Sequence, residues 1–429
     1  MIPENDKEKK TQKKKTFSKE FSRRGFLKTS LGVGVGAAGA ALFGSELLGS
    51  NSIANAQVVE HDDMPVEISS DYKRYSMASQ APIGAVSAEY AGKRFGTIPQ
   101  EGGEGWGQLE FAFDHACWSI EEDINKGLGA PGFQSQGLFT WEGEVNPNKY
   151  QFESPEAASA IIKRVTKFWG SCKVGIGPYD ERWLFSEVLD LATGKPVPNK
   201  LPFTPTNVIV ALFEMDYDCY QTAPALPQGA ASGNEYSDAG VLLHKLAKFI
   251  RTLGYQAIPC SNDTALSIPL AIQAGLGEIS RIGIMVTKEY GPRVRIYKLF
   301  TDMPLAIDKP VTFGAMEFCK TCMKCADACP SQAISHDVEP SFKTSAITNP
   351  GVKKWAQDGV KCMTQWSKVG TDCGICIKVC PYNKRQEWHH DLVRLGTETP
   401  AKPVLRFFDD LFGYGKISVP DAIKEFWNK

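Results

Sequence analysis

From residue 151 onward the apolar positions follow two alternating periods. Ser154-Pro155 supplies a cap and a first-turn proline. Ile161, Ile162, Val165, Phe168 and Trp169 then share one helical face until Gly170 ends it. Residues 173–177 read as a short buried strand, and 207–216 (NVIVALFEMD) as a central one, apolar almost throughout. Leu242, Leu246, Phe249, Ile250 and Leu253 mark a helix ending at Gly254. Residues 256–260 form a further strand, and 265–276 a helix with Pro269 in its first turn. Residues 282–287 and 293–302 read as a β-hairpin about Gly291-Pro292. Residues 57–150 are polar and Gly-rich, carry Trp106, Trp118 and Trp141, and show no clean period. They predict an irregular segment that packs over something else. Lys309-Pro310 marks a linker, and the tail from 391 holds Phe407, Phe408, Leu411 and Phe412, an apolar set expected to fold back on the body.

At 429 residues the chain has room for two or three domains. Its net charge of −1 hides a split. Residues 1–56 carry ten Lys/Arg against five Asp/Glu, net +5, which leaves 38 against 44, net −6, for the rest. A mildly acidic body argues against nucleic acid as a partner. The basic segment reads as a signal: Ser22-Arg23-Arg24-Gly25-Phe26-Leu27-Lys28 is a twin-arginine motif, followed by a weakly apolar stretch and Ala54-Asn55-Ala56 at a cleavage site before Gln57. A retained anchor is the alternative, but the stretch is short, Gly-rich and carries Glu46.

Cysteine spacing carries the chemistry. Cys319, Cys322, Cys325 and Cys329-Pro330 form a Cys-x2-Cys-x2-Cys-x3-Cys-Pro run, and Cys362, Cys373, Cys376 and Cys380-Pro381 a looser second copy. This is the pattern of two [4Fe–4S] clusters, in which the fourth cysteine of each run crosses to the other cluster. Cys319, Cys322, Cys325 and Cys380 are then expected on one cluster, and Cys373, Cys376, Cys329 and, by elimination, Cys362 on the other. Ten residues separate Cys362 from Cys373, so the second run holds an insertion. Structural zinc, the bland alternative, takes paired Cys-x2-Cys knuckles rather than a triple run. Cys117, Cys172, Cys219 and Cys260 are scattered and read as packing. A chain with two such clusters moves single electrons.

The leader, the middle segments Ser261-Asn262-Asp263-Thr264, Gln273 to Glu278 (QAGLGE) and Tyr290 to Arg293 (YGPR), and the two-cluster end together resemble the catalytic subunit of respiratory reductive dehalogenases over nearly the whole chain. The resemblance implies an α+β or α/β architecture. A nitroreductase-like domain (151–312) would bind a base-off corrinoid of the cobalamin type. A ferredoxin-like two-cluster domain (313–390) would follow, with 57–150 covering the cofactor and 391–429 returning to the body. It implies removal of halide from an organohalide as the terminal step of anaerobic respiration. It also implies export by the twin-arginine machinery, a peripheral place on the outer face of the cytoplasmic membrane, a small integral-membrane anchor protein and an upstream respiratory electron donor. Ser261, Asn262, Thr264, Gly275, Gly277 and Glu278 match the corrinoid segments, with Tyr236-Ser237 as a further element; each glycine also suits an ordinary turn.

The family commonly uses a Tyr proton donor beside an Arg or Lys. Many relatives show Trp-x-Tyr where this chain has Phe185, which has no proton to give. Tyr179 with Arg182 is the candidate pair here, though Tyr179 also reads as a turn aromatic on Trp183; Tyr217 and Tyr220 stand in reserve. No His lies in an Asp-x-His-x2-Gly pattern: His115 follows Asp114 without the glycine, and His389-His390 reads as surface. That agrees with a corrinoid whose lower ligand is absent. Two rivals remain. An exported electron-transfer subunit would need the clusters but not the large middle domain. An epoxyqueuosine-reductase-like enzyme would hold tRNA, against which the leader and the acidic body both argue.

Overall fold

Side-chain alternation along residues 207–214 builds both halves of the sheet domain's core. In the computed structural model, which describes residues 58–80, 103–123, 137–190, 195–345, 347–385 and 402–429, a four-stranded sheet stands between two helical layers. The twin-arginine leader and His389-His390 lie outside the described residues.

Helix α1 (Gln108–Asp123) comes first, within the stretch expected to be irregular. Helix α2 (Pro155–Phe168) starts as its sequence predicts: Ser154 accepts a hydrogen bond from the Ala157 amide, and Pro155 fills the first turn. Strands β1 (Lys173–Pro178) and β2 (Asn207–Glu214) follow, then the 27-residue helix α3 (Leu226–Thr252), strand β3 (Ala257–Cys260), helix α4 (Ser267–Gln273) and strand β4 (Val294–Thr301). The strand order is β1-β2-β4-β3, antiparallel throughout. Ile209, Ala211 and Phe213 face α2 and α3, packing on Ile162, Leu243, Leu246 and Ile250. Val208, Val210 and Leu212 face Trp183 and α4 on the other side. Both faces of β2 are therefore covered, which is why its apolar run is unbroken.

One expectation fails. Residues 293–302 do not pair with 282–287. Val294–Thr301 pairs along its length with β2 and at its end with β3, whereas Met285–Val286 pairs with Glu278–Ile279. The Gly291-Pro292 turn closes just a Thr287–Gly291 bridge. A strand with apolar residues on both faces is covered better at the sheet centre than in a two-stranded ribbon.

The cluster domain contributes α5 (Ala315–Cys322) and α6 (Gly359–Val369), and the tail α7 (Lys402–Leu411) and α8 (Val419–Trp427). The tail returns to the body. Phe407 and Leu411 are each 60% exposed. Contact is made by the other face of α7, through Arg406 and Asp409, and by α8, where Ala422 and Ile423 are buried. Phe426 meets Phe113 of α1 at 5.6 Å and the Trp427 indole donates to Glu110 at 2.8 Å. No described helix is long and apolar enough to cross a membrane.

Candidate active site

Local backbone geometry sets the cysteine loops. Met323 and Gly374 take left-handed φ values of 51° and 62°, breaking the helices so that neighbouring thiols turn inward. Cys319, Cys322, Cys325 and Cys380 line one small cavity with Arg281 and Tyr382. Cys329, Cys362, Cys373 and Cys376 line one side of a second, much larger cavity of about 690 Å³. Residues grouped by motif spacing thus share a cavity. The insertion between Cys362 and Cys373 is most of α6, capped by Asp358 at its start and by Gly370 (φ 74°) at its end. Among the described residues no three His, Cys, Asp or Glu side chains converge closely enough for one bare metal ion; the thiols surround space instead. Burial pushes the remaining thiols up, Cys117 to about 11 and Cys172 to about 12, so they stay protonated packing groups.

The rest of the large cavity is built from distant parts of the chain: Trp183 and Phe185, Asn262 and Asp263, α4 (Ser267, Ile268), β4 (Val294, Arg295) and a loop carrying Asn349, Lys354 and Trp355. Asn262 donates from its amide to the Tyr236 phenol oxygen. The Arg295 guanidinium lies 5.0 Å from the Tyr236 ring centroid, donates to Ser232 Oγ at 2.8 Å and pairs with Asp372 at 3.3 Å. Burial works against its charge, but Tyr236, Tyr220, Asp372 and Tyr297 more than offset this and hold its pKa above that of an ordinary arginine. Trp118 stacks on Tyr236 at 5.1 Å and Tyr297 meets it edge-on at 5.8 Å, so the phenol is fixed from both sides. Tyr236 reaches the cavity through Asn262 and Arg295, which line it, and is not itself a lining residue. Tyr220, one of the reserve candidates, does line the cavity; its hydroxyl donates to Met215 Sδ at 3.0 Å, and burial pushes its pKa up.

Asp263 is buried, with Oδ2 accepting from Thr264 Oγ1 at 2.8 Å and Oδ1 unpartnered. Burial raises its pKa, with Lys298 opposing. Burial also lowers Lys354, on the cavity wall, to about 8.

Several residues singled out in sequence lie elsewhere. Tyr179 packs edge-on against Phe300 at 6.2 Å, and Arg182 turns to Asp180 at 2.7 Å and lies over Trp183. The two form no phenol–guanidinium pair, and neither lines the cavity. Tyr217 lies between Arg293 and Arg385. Ser261 offers its carbonyl to the buried Lys298; Thr264, at φ 66°, offers its own to Phe185 N at 3.0 Å and Asn199 at 2.8 Å; Ser237 donates to Cys117 O at 2.7 Å.

Gly275 and Gly277 pack closely within the sheet domain, and Glu278 joins it to the cluster domain. A Cβ on Gly275 would meet Lys309 O at 2.4 Å, and one on Gly277 would meet Val286 O at 2.3 Å. The Glu278 carboxylate accepts from the amides of Phe313, Ala315 and Met316 at the start of α5. Arg293 likewise bonds Asn383, just past Cys380, at 2.9 Å. Arg295 was missed in sequence. Its signal is that Arg295 and Lys298 are two cations in a strand of otherwise mainly apolar residues.

Comparison with known proteins supports the two-cluster end and the family of the whole chain. Residues 318–383 match the 4Fe-4S double cluster binding domain. The tetrachloroethene reductive dehalogenase of Desulfitobacterium hafniense is 36% identical, over 76% of this chain and 73% of that protein. The one from Sulfurospirillum multivorans is 32% identical over 71% and 68%. A solved catabolic reductive dehalogenase, NpRdhA, shares the fold with a TM-score of 0.66 at 22% identity, covering 85% of this chain. The chain spans about half the length of the solved reductive dehalogenases it matches, 50% in that case. With two iron–sulfur clusters in its C-terminal domain and this identity over most of its length, the chain belongs to the reductive dehalogenases, oxidoreductases that act on carbon–halogen bonds.

Proposed function

We propose that the chain removes halide from a small organohalide with a corrinoid and two [4Fe–4S] clusters. One observation carries the reading. A single cavity is lined by Cys329, Cys362, Cys373 and Cys376 and also by Asn262 and Arg295, and the Asn262 amide is hydrogen-bonded to Tyr236. The residues present suit a corrinoid. The cavity's size is that of a cofactor pocket and its walls are mainly apolar. Asp263 Oδ1 and Asn349 Oδ1 are buried there without a partner in the chain, and the amides rimming such a macrocycle would supply one. No histidine is among the lining residues, which suits a corrinoid without a protein lower ligand. When bound, clusters and corrinoid supply low-potential electrons, one at a time, to the carbon–halogen bond.

The rest falls to side chains. Tyr236 delivers the proton that replaces halide, in place of Tyr179. The Asn262 amide orients its oxygen, and the Arg295 cation stabilises the phenolate left behind. Trp183, Phe185 and Ile268 exclude water and hold a substrate that has almost nothing to hydrogen-bond. The balance is R–Cl plus two electrons plus a proton, giving R–H and chloride; where vicinal halides leave, two electrons and no proton give an alkene and two chlorides. Because the similar proteins are named for tetrachloroethene, chlorinated ethenes are the first substrates to try. The twin-arginine leader supports export to the outer face of the cytoplasmic membrane, with a small anchor protein and a respiratory donor as partners. Mature protein should then begin at Gln57, and N-terminal sequencing that finds residues 1–56 retained would rule out the cleaved form.

The test of activity is anaerobic reconstitution with iron, sulfide and cobalamin, followed by a halocarbon panel with a reduced viologen. The expected result is stoichiometric cobalt and chloride release. Folded, iron-loaded protein that takes up no corrinoid would overturn the reading.

A further inference from the structure

The outer cysteine set, Cys319, Cys322, Cys325 and Cys380, stands among buried charges that the proposed reaction does not use. Lys324 lies between Cys322 and Cys325 in sequence, and Lys384 four residues past Cys380. Each side chain is 8% exposed, and both meet one carboxylate. Asp409 Oδ1 is 2.7 Å from Lys384 Nζ, and Oδ2 accepts from Lys324 Nζ. Asp409 belongs to α7, 85 residues beyond Lys324. The same segment supplies Tyr414, whose carbonyl accepts from Lys324 at 3.0 Å and whose ring lies 4.1 Å from Lys384 Nζ. Arg406, one turn before Asp409, donates to the Cys322 carbonyl.

Two buried ammonium groups against one buried carboxylate leave excess positive charge next to the ligand loops. Asp410, also within reach of Lys324 at 3.2 Å, is more exposed and better screened. Reduction adds an electron to a cluster. Nearby cations favour the reduced form and raise the potential; nearby anions lower it.

We propose that Asp409 is a positioning residue for electron entry. Carried in by the C-terminal helix, it offsets part of the Lys324 and Lys384 charge and holds the outer cluster at low potential. The α7 segment is then part of the redox centre. This rests on the two-cluster reading and is independent of the corrinoid.

The test is an EPR-monitored redox titration of the full chain, reconstituted with iron and sulfide alone. Asp409→Asn should raise the midpoint of one cluster, Lys384→Met should lower the same midpoint, and Asp409→Glu should restore the wild-type value. The other cluster should not move. Opposite signs from two partners of one ion pair distinguish tuning from a structural clamp, whose loss would shift both variants the same way. Shifts of the same sign, or none, overturn the proposal. If Asp409→Asn fails to hold iron, the sign is read on Lys384→Met alone, where anything but a downward shift overturns it. Wild-type protein that takes up no cluster would instead sink the two-cluster reading.

Discussion

The two halves of the molecule assemble their reactive groups by different rules. In the cluster half, most ligand candidates are near neighbours in sequence. Tight turns at Met323 and Gly374 turn them inward, and each cavity takes three cysteines from one run and the fourth from the other. In the sheet half, Tyr236 comes from a helix, Asn262 from the turn after β3 and Arg295 from β4. They meet because β4 lies between β2 and β3 while α3 covers one face of that sheet. The cysteine loops are thus written largely locally, and the groups proposed for the proton step depend on the whole fold. Substitutions in the two halves should fail in different ways.

The largest effect belongs to the inner cysteines. Cys362→Ser should remove one cluster's worth of iron and abolish dehalogenation, because Cys329, Cys373 and Cys376 are left with an incomplete set. Iron analysis with single-turnover assays checks both. Full iron content in the variant would show that Cys362 lines the cavity without ligating. Tyr236→Phe should leave iron and corrinoid content intact and lower kcat by about 10²–10⁴, the usual worth of a positioned general acid. Tyr179→Phe should leave kcat near wild type. If those two results were exchanged, the proton would come from the first turn of the sheet domain and not from α3.

How much of this was legible follows from the same contrast. The helix from Ser154-Pro155, the strands at 173–178 and 207–214 and the cysteine partition could be read because cap, period and spacing are local signals. The first half of α3 could not. Residues 226–240 are rich in Gly and Ala and carry no apolar stripe, since Trp118 and the cluster loops approach too closely for larger side chains. Tyr236, in that half, reads from sequence as a cofactor contact, and no local signal pairs it with the Arg295 beside it. QAGLGE and YGPR carry the resemblance, and Glu278 and Gly291 within them sit where the sheet meets the cluster domain: Gly291 lies against the Tyr382 backbone at a φ of 61°, where a Cβ would meet Tyr382 O at 2.4 Å. A residue type suited to approaching a macrocycle is equally suited to approaching a backbone.

The neighbour of Tyr236 gives a smaller, pH-dependent effect in the sheet half. Burial raises Glu235 from 4.5 to about 7, with the Asn234 hydrogen bond opposing. The unfolded chain therefore ionises Glu235 first, so stability is undiminished below pH 4.5 and declines as pH rises toward about 7. The loss is at most roughly 3 kcal/mol. Glu235→Gln should remove this slope, gaining more in Tm over wild type at alkaline pH than at acid pH. Melting curves of cluster-loaded protein that stay parallel across pH would show that Glu235 is as well solvated folded as unfolded.

The smallest effect tests the joint between the halves. Glu278, on the sheet side, accepts three backbone amides at the start of α5, the helix that carries Cys319 and Cys322. An anionic acceptor there satisfies donors that the helix leaves open and complements its dipole. Gln keeps one acceptor oxygen and loses the charge, so Glu278→Gln should cost about 1–2 kcal/mol. The cost should be confined to the joint: faster amide hydrogen exchange at residues 313–316, with protection in β2 and β4 unchanged. Exchange that quickened across the sheet as well would mean that the cluster domain supports the sheet, and that the two rules of assembly operate within one cooperative unit.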